Sequence, residues 1–382
     1  MPEKPTILIV DDEPFNVDYL EQELEDFGYK TIAAINGKEA LNQVEAHLPD
    51  MILLDIMMPE MDGFEVLAQL QKNDIWRSIP VVVISATSDM ASIVKGIELG
   101  ADDYLPKPFE PTLLQARLTS GLEKKRFRDI EKKYLQVLQR EMEIGKEIQA
   151  GFLPDEIPLI KNWDIGAYFH AAREVAGDFY DVFELPNNQL GILLGDVSDK
   201  GVGAALYMSL YRSLLRVNLF EKDIQDSAET LLQAVTLTNK YICRVHGSPS
   251  FATLFYGILE IETGSLSYVS AGHDPPMILR NGGIVSQVMP TGPAVGMLED
   301  VTFKADEIIL DGEQRLVLYT DGVGDAHNSK GERLKMAGFT DLVTQPAETA
   351  QDLVDNTIKG IRNFMGNASQ FDDLTMLVIG KK

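Results

Sequence analysis

The chain has 382 residues, a formal net charge of −25, 45% hydrophobic and 24% charged residues, and one cysteine, Cys243. That length suggests two or three domains with real cores, and the apolar fraction excludes global disorder. One cysteine excludes an internal disulfide, no apolar run spans a membrane, and a pI near 4.5 argues against a nucleic-acid surface as the main output.

No basic segment followed by an apolar stretch opens the chain, so no signal peptide is expected and the expected location is cytoplasmic. The charge divides the chain into three parts. Residues 1–120 carry 22 acidic and 8 basic side chains, residues 121–150 carry 6 and 8, and residues 151–382 carry 31 and 18. Most of this acidity is an ordinary solvated surface. The informative carboxylates are those clustered where a surface does not need them.

Thr6–Val10 is a short apolar run ending in Asp11-Asp12-Glu13-Pro14. Similar runs at Met51–Leu54 and Val81–Ile84 end in Asp55 and Ser85, and a weaker one near Tyr104 ends at Lys107. Such runs read as strands buried on both faces. Helical stretches at Val17–Phe27, Lys38–Ala46, Gly63–Leu70, Met90–Leu99 and Pro111–Leu122 separate them. This is the doubly wound α/β pattern, in which ligands sit at the carboxyl ends of strands. Asp11, Asp12 and Asp55 together need a hard cation such as Mg²⁺. Ser85 offers a hydroxyl and Lys107 a point charge suited to a phosphoryl group. Any one Asp after a strand is more often a turn or cap residue; the ordered set is harder to obtain by accident.

The stretches ILIVDDEP, LLDIMMPEMDGFE, VVVISA and DDYLPKPF resemble the receiver domain of two-component response regulators, with a (βα)5 fold. The resemblance implies that Asp55 accepts a phosphoryl group from a sensor histidine kinase or phosphotransfer protein. It also implies Asp11, Asp12, Asp55 and the Met57 carbonyl as Mg²⁺ ligands, Ser85 and Lys107 as phosphoryl contacts, and Tyr104 as an aromatic switch.

In residues 121–150, Phe127, Ile130, Tyr134, Val137, Ile144 and Ile148 follow a 3-4 spacing, with Glu141 in one apolar slot. Two readings stand: a helix packed on its own domains, or a parallel coiled coil joining two protomers. The latter implies a homodimer. Residues 142–154 resemble the helix that precedes the catalytic core in a bacterial phosphatase branch, which implies a switch element.

From Trp163 the pattern changes to shorter alternating strands. Expected strands are Asp164–His170, Asp178–Leu185, Gln189–Val197, Thr253–Glu260, Leu266–Ser270, Met277–Arg280, Gln314–Thr320 and Thr375–Ile379. Residues 186–188, 262–264 and 281–283 read as hairpin turns. Long helical patterns cover Val202–Phe220, Ser227–Val245 and Ala347–Met365, which together suggests an α+β sandwich. Carboxylates again sit at strand ends beside glycine: Asp178, Asp196 and Asp321, then Asp372-Asp373. Singly, an Asp-Gly is usually a tight turn. Four separated sites are too repulsive for one acid–base pair and suit a two-metal centre that activates water and holds a phosphate.

The ordered stretches AGDFYDVF, LLGDVSDKGVGAAL, VSAGHDPPM, LYTDGVGDA and FDDLTMLVIG resemble the metal-dependent protein phosphatase (PPM) family, in its bacterial sporulation and stress-response branch. This implies an α-β-β-α sandwich with two Mn²⁺ or Mg²⁺ held by Asp178, Asp196, Asp321, Asp372 and the Val197 carbonyl. Asp373 is implied as an outer or third-metal ligand, Arg173 as a substrate-phosphate contact, and His273 as a structural or substrate-contacting residue rather than a general acid. Asp199-Lys200 replaces the Gly-His often found after Val-Ser.

The expected organisation is a receiver over 1–122, a helical coiled-coil linker over 123–153 and a phosphatase over 154–382. The resemblances imply a response regulator whose output is protein phosphoserine/phosphothreonine hydrolysis, on a substrate such as an anti-sigma-factor antagonist in partner switching. The competing reading is a regulated protein that sequesters its partner without hydrolysis. DNA-binding output is disfavoured, since no basic helix-turn-helix follows the receiver-like part.

Overall fold

The computed structural model describes residues 4–86, 90–219, 224–246 and 250–382; Phe220, expected to end a helix, lies outside them. The chain forms two compact units, Met1–Gln139 and Arg140–Lys382.

In the first unit, strands β1 (Thr6–Val10), β2 (Lys30–Ala34), β3 (Met51–Asp55), β4 (Val81–Ala86) and β5 (Asp103–Lys107) build one parallel sheet. Helices α1 (Pro14–Asp26), α2 (Gly37–His47), α3 (Gly63–Leu70), α4 (Met90–Glu98) and α5 (Pro111–Ala150) follow them in turn. The strand order is β2-β1-β3-β4-β5. Leu8 and Val10 of β1 face the core shared with α2 and α3, while Ile7 and Ile9 face that of α1 and α5. Two buried faces explain why β1 reads as an unbroken apolar run. The expected doubly wound architecture is present, but the apolar runs marked only four strands. The fifth, β2, is an edge strand in which only Ala34 is fully buried, so its sequence carries little apolar signal.

Helix α3 opens with a reciprocal capping box between Asp62 and Glu65. A Cβ at Gly63 would lie 2.4 Å from the Asp55 carbonyl, so glycine is what lets α3 begin against the end of β3. Helix α5 runs for 40 residues, and the boundary between the two units falls within it. Its predicted stripe, Phe127, Ile130, Tyr134, Val137, Ile144 and Ile148, is solvent-exposed.

The second unit has strands β6 (Trp163–His170), β7 (Phe179–Leu185), β8 (Gln189–Val197), β9 (Ala252–Glu260) and β10 (Ser265–Ala271). They are followed by β11 (Met277–Arg280), β12 (Gly283–Gln287), β13 (Asp306–Ile309), β14 (Gln314–Tyr319) and β15 (Leu374–Lys381). Its helices are α6 (Val202–Leu219), α7 (Ser227–His246), α8 (Gly322–Asp325), α9 (Lys335–Val343) and α10 (Ala350–Met365). Two antiparallel sheets form, ordered β13-β10-β9-β8-β7 and β12-β11-β14-β15-β6.

Side-chain alternation sorts these strands into layers. Leu190, Ile192 and Leu194 of β8 meet Leu377 and Ile379 of β15 between the sheets. On the other face of β8, Leu193 and Val197 pack with Met208, Tyr211 and Leu231 of α6 and α7. Met376 and Val378 of β15 pack outward on Val354 and Ile361 of α10. Each such buried side chain contributes about 2 kcal/mol. The result is the α-β-β-α sandwich. At the β11–β12 hairpin, Asn281 and Gly282 take positive φ values of 52° and 76°, as a two-residue turn requires. No sequence pattern predicts the strands β12 and β13 or the helices α8 and α9. β12 is exposed at every residue and β13 is largely exposed, so neither alternates strongly. Among the described residues no helix is long and apolar enough to cross a membrane.

Candidate functional site

In the first unit the polar residues that end the strands converge. Asp11 follows β1 and is fully buried, Asp55 ends β3 with 6% exposure, and Asp12 is exposed. Their carboxylate oxygens lie within 4.8 Å of one another, a grouping that could hold a metal ion. Lys107, at the end of β5, donates to Asp11 Oδ2 at 2.9 Å and Asp55 Oδ2 at 2.5 Å. Asp11 also accepts from Asn16 Nδ2 and the Glu13 N–H, each at 3.0 Å. Asp55 Oδ1 accepts from the Met57 N–H at 3.2 Å.

Burial raises the Asp55 carboxyl above its usual range and the Asp11 charge adds to this, while Lys107 opposes it. Burial alone would lower the Lys107 ammonium, but its bonds to Asp55 and Asp11 prevail and raise it. The buried Ser85 Oγ has no hydrogen-bond partner among the described residues. An orphaned hydroxyl on β4, between the strands that end in Asp55 and Lys107, fits a site completed by a hard cation and an anionic oxygen. Tyr104 is half-buried on β5 with the Arg117 guanidinium 5.6 Å from its ring centre.

In the second unit, two antiparallel strand pairs, one per sheet, bring carboxylates together. Asp178 immediately precedes β7 and Asp196 is next to last in β8; Phe179 pairs with Gly195, so both lie at one end. Asp321 follows β14 and Asp372 precedes β15, with Tyr319 paired to Met376. Asp178 is 2% exposed, and its Oδ2 accepts hydrogen bonds from Thr320 Oγ1 at 2.6 Å and Thr375 Oγ1 at 2.5 Å. Close approach at this end demands glycine: a Cβ at Gly322 would fall 1.9 Å from the Asp373 carbonyl oxygen.

The electrostatics record this crowding. Burial, then Asp196 and Asp373, hold the Asp178 carboxyl well above its normal range, against the two threonine hydrogen bonds. Burial, then Asp321 and Asp372, push Asp196 up to about 8. Asp321 reaches solvent at its edge, yet desolvation on its protein side, followed by Asp372, Asp274 and Asp325, raises it to about 6. Carboxylate oxygens crowded in this way could serve as donors to a hard divalent cation. The Val197 carbonyl adjoins, lying 2.9 Å from a Cβ at Gly177. Among the described residues, Lys200 pairs with the cluster, donating to Asp372 Oδ2 at 2.6 Å and to the Phe371 carbonyl at 3.0 Å.

Asp373 has a further occupation. Its Oδ1 accepts from the Ala172 N–H at 2.7 Å, and its Oδ2 from Gly177 at 2.8 Å and Asp178 at 3.4 Å. It fastens the loop that carries Arg173 and Asp178. Gln149, near the end of α5, is 6% exposed and pairs with the same loop twice. It donates to the Ala176 carbonyl at 2.7 Å and accepts from the Ala176 N–H at 2.9 Å. Thr320, Thr375 and Gln149 were missed as site residues in the sequence, although all three lie inside or beside its motifs.

His273 is 3% exposed with Nδ1 3.1 Å from Thr253 Oγ1, and Thr253 pairs with Asp196 across β8 and β9. Burial lowers its imidazole to about 4, which favours a neutral ring and not an acid catalyst. Arg173 is exposed and makes no hydrogen bond or ion pair with a described residue.

Comparison with known proteins places these sites in context. Residues 186–382 match the family Stage II sporulation protein E (SpoIIE), and residues 7–119 match the response regulator receiver domain. Protein IcfG of Synechocystis sp. (strain ATCC 27184 / PCC 6803 / Kazusa) is 39% identical over 260 residues, covering 63% of this chain and 41% of that protein. The RsbU and RsbW domains of Rv1364c from Mycobacterium tuberculosis superpose with a TM-score of 0.50 at 25% identity, over 60% of this chain and 63% of that one. The SiaA-PP2C domain of Pseudomonas aeruginosa, at 19% identity and a TM-score of 0.54, shares the fold over 65% of this chain and 99% of that one. The chain thus spans well under half the length of IcfG.

Proposed function

The chain belongs to the Stage II sporulation protein E (SpoIIE) family and carries a response regulator receiver domain, and from that premise we propose a metal-dependent protein serine/threonine phosphatase controlled by phosphorylation of Asp55. The observation that carries the reading is the strand pairing that sets Asp178 and Asp196 at one end of β7 and β8, and Asp321 and Asp372 at one end of β14 and β15, where burial and mutual repulsion raise Asp178, Asp196 and Asp321. Such repulsion is relieved by divalent cations.

Asp178, Asp196, Asp321, Asp372 and the Val197 carbonyl would hold two Mn²⁺ or Mg²⁺. Bound there, the ions supply an activated water and charge neutralisation for phosphoester hydrolysis. The protein's own part is positional. Thr320 and Thr375 both donate to Asp178 Oδ2, which leaves its other oxygen for a cation. Asp373 and Gln149 hold the 172–178 loop, and Arg173 offers a free guanidinium fork to the substrate phosphate.

In the receiver domain, Asp11, Asp12, Asp55 and the Met57 carbonyl would hold Mg²⁺. The phosphoryl group moves from a partner's phosphohistidine nitrogen to an Asp55 carboxylate oxygen. Lys107 then pairs with the new phosphoryl charge, and the orphaned Ser85 hydroxyl donates to one of its oxygens. Tyr104 is the adjoining ring that reports the change. The substrate is a phosphoserine or phosphothreonine protein, with an anti-sigma-factor antagonist in partner switching favoured by the resemblance to the stress-response branch. The exposed stripe of α5 supports a homodimer through that helix.

The test is Mn²⁺-dependent phosphate release from p-nitrophenyl phosphate and a phosphoserine peptide, repeated with Asp196→Ala. Loss of a ligand should lower turnover by at least about a hundredfold, beyond the effect of outer-sphere changes. Full activity in the variant sinks the metal assignment. Tight phosphopeptide binding without release by the native protein would favour sequestration.

A further inference from the structure

Beside the aspartate cluster lies a cavity of about 550 Å³ whose walls include Arg173, Lys200, His327, Gln370 and Phe371. Among the described residues no carboxylate lines it. That is unusual for this part of the chain, where 31 acidic side chains outnumber 18 basic ones over residues 151–382. Phe371 forms an exposed aromatic wall, with the Lys200 ammonium 4.3 Å from its ring centre and the His327 ring at 5.1 Å. Lys200 stands on the border itself, bonded to Asp372 Oδ2 at 2.6 Å. The recess is therefore an electropositive pocket directly adjoining an electronegative one, and the two can receive different groups of one ligand.

Resting on the phosphatase reading, we propose that this recess is a second anion subsite, which receives an acidic side chain of the substrate next to its phosphorylated residue. Consecutive Cα atoms are 3.8 Å apart, so a residue flanking one held at the aspartate cluster reaches a pocket whose wall, at Lys200, is bonded to Asp372. Arg173 serves the reacting phosphate, leaving Lys200 and His327 for the second anion, while Gln370 spends its amide on the His170 and Asp372 carbonyls at 2.9 and 2.8 Å and holds the wall in place. The ammonium is already shared with Asp372, so the remaining positive charge suits a singly charged carboxylate better than a second phosphate. The Phe371 ring gives the methylene stem of a Glu or Asp an apolar wall. The consequence is selection of acid-flanked phosphosites, with Lys200 and His327 as specificity residues.

The full chain is assayed with Mn²⁺ on phosphoserine peptides that differ only in flanking Glu, Ala, Lys or a second phosphoserine. The native protein should prefer Glu to Ala by about tenfold in kcat/KM, mostly through KM, the size expected of one charge-assisted contact. In Lys200→Gln and in His327→Gln this ratio should fall to within about twofold of unity. Because each ratio compares two peptides on one protein, damage to the metal site cancels. Fluorescence anisotropy with non-hydrolysable phosphonate versions gives the same comparison without turnover. Equal kcat/KM and equal Kd for Glu and Ala in the native protein overturns the subsite, as does a preference that survives both substitutions. A second phosphoserine bound more than tenfold tighter than Glu overturns the carboxylate assignment. Absence of turnover on every peptide, with the Glu preference kept in binding, removes the phosphatase reading and leaves the subsite standing.

Discussion

Asp178 shows how strongly the second unit constrains single side chains. Its carboxylate is 2% exposed and depends on Thr320 and Thr375 for both hydroxyl donors to Oδ2. Valine at either position keeps the volume and removes one donor. Thr320→Val and Thr375→Val should each weaken Mn²⁺ binding by about tenfold, as outer-sphere partners do, measured by calorimetric titration. Unchanged affinity would show that the hydroxyls do not orient the carboxylate. Serine at either position, which keeps the hydroxyl, should restore most of the binding.

His273 makes a prediction about pH. Burial brings its imidazole from 6.5 to about 4, against a backbone hydrogen bond at Tyr319. In the unfolded chain the ring takes a proton near pH 6.5, so between there and pH 4 the unfolded state holds more protons. The contribution is complete above pH 6.5 and lost as pH falls toward 4, a total of about 3 kcal/mol. Denaturant unfolding across that range should show this loss, and His273→Gln should show a flatter dependence. An identical slope in the variant would place the acid sensitivity elsewhere.

At the scale of elements, the loop before β7 is held from two directions. Asp373 grips it through three backbone N–H groups, and Gln149 of α5 pairs with both polar groups of Ala176. This ties the end of α5 to the segment that carries Arg173 and Asp178. Gln149→Leu leaves a buried N–H and C=O unpaired, at about 1–3 kcal/mol. We expect a lower melting temperature and a phosphatase kcat/KM reduced by about tenfold or more, read by thermal unfolding and steady-state kinetics. A destabilised variant with native kcat/KM would reduce Gln149 to a packing role. Elements differ in legibility for a related reason. β1, β3 and β4 are buried on two faces and announce themselves as apolar runs, whereas β2, β12 and β13 sit at sheet edges with few buried side chains. Their existence depends on a neighbour offering a ladder, not on their own composition.

For the whole molecule the prediction concerns control and self-association. Beryllofluoride, standing in for the Asp55 phosphoryl group, should change phosphatase turnover in the native chain and leave Asp55→Asn unaffected. The α5 stripe should also mediate self-association: Ile130→Asp with Val137→Asp should shift the protein to the monomer in light scattering. A receiver that signals to the phosphatase through other surfaces would keep beryllofluoride sensitivity in that double variant. No response in the native chain to beryllofluoride would refute receiver control.

The sequence alone determined that two carboxylate-rich centres exist, because their aspartates end apolar runs or sit beside glycine in an order that turns and caps rarely produce. It also determined the doubly wound first unit and the sandwich character of the second, since burial on one or two faces leaves a period in the residues. Only the tertiary structure decided what surrounds those carboxylates. Thr320 and Thr375 are separated along the chain but adjoin across β14 and β15, where the Thr320 N–H donates to the Thr375 carbonyl at 3.2 Å. Gln149 meets Ala176 across 27 positions, and Lys200 meets Asp372 across 172. Hydrogen-bond partners are set by strand register and loop closure, which one-dimensional periodicity does not encode. The same holds for the basic recess beside the acidic cluster: Arg173, Lys200, His327 and Phe371 have no common pattern until folding brings them together.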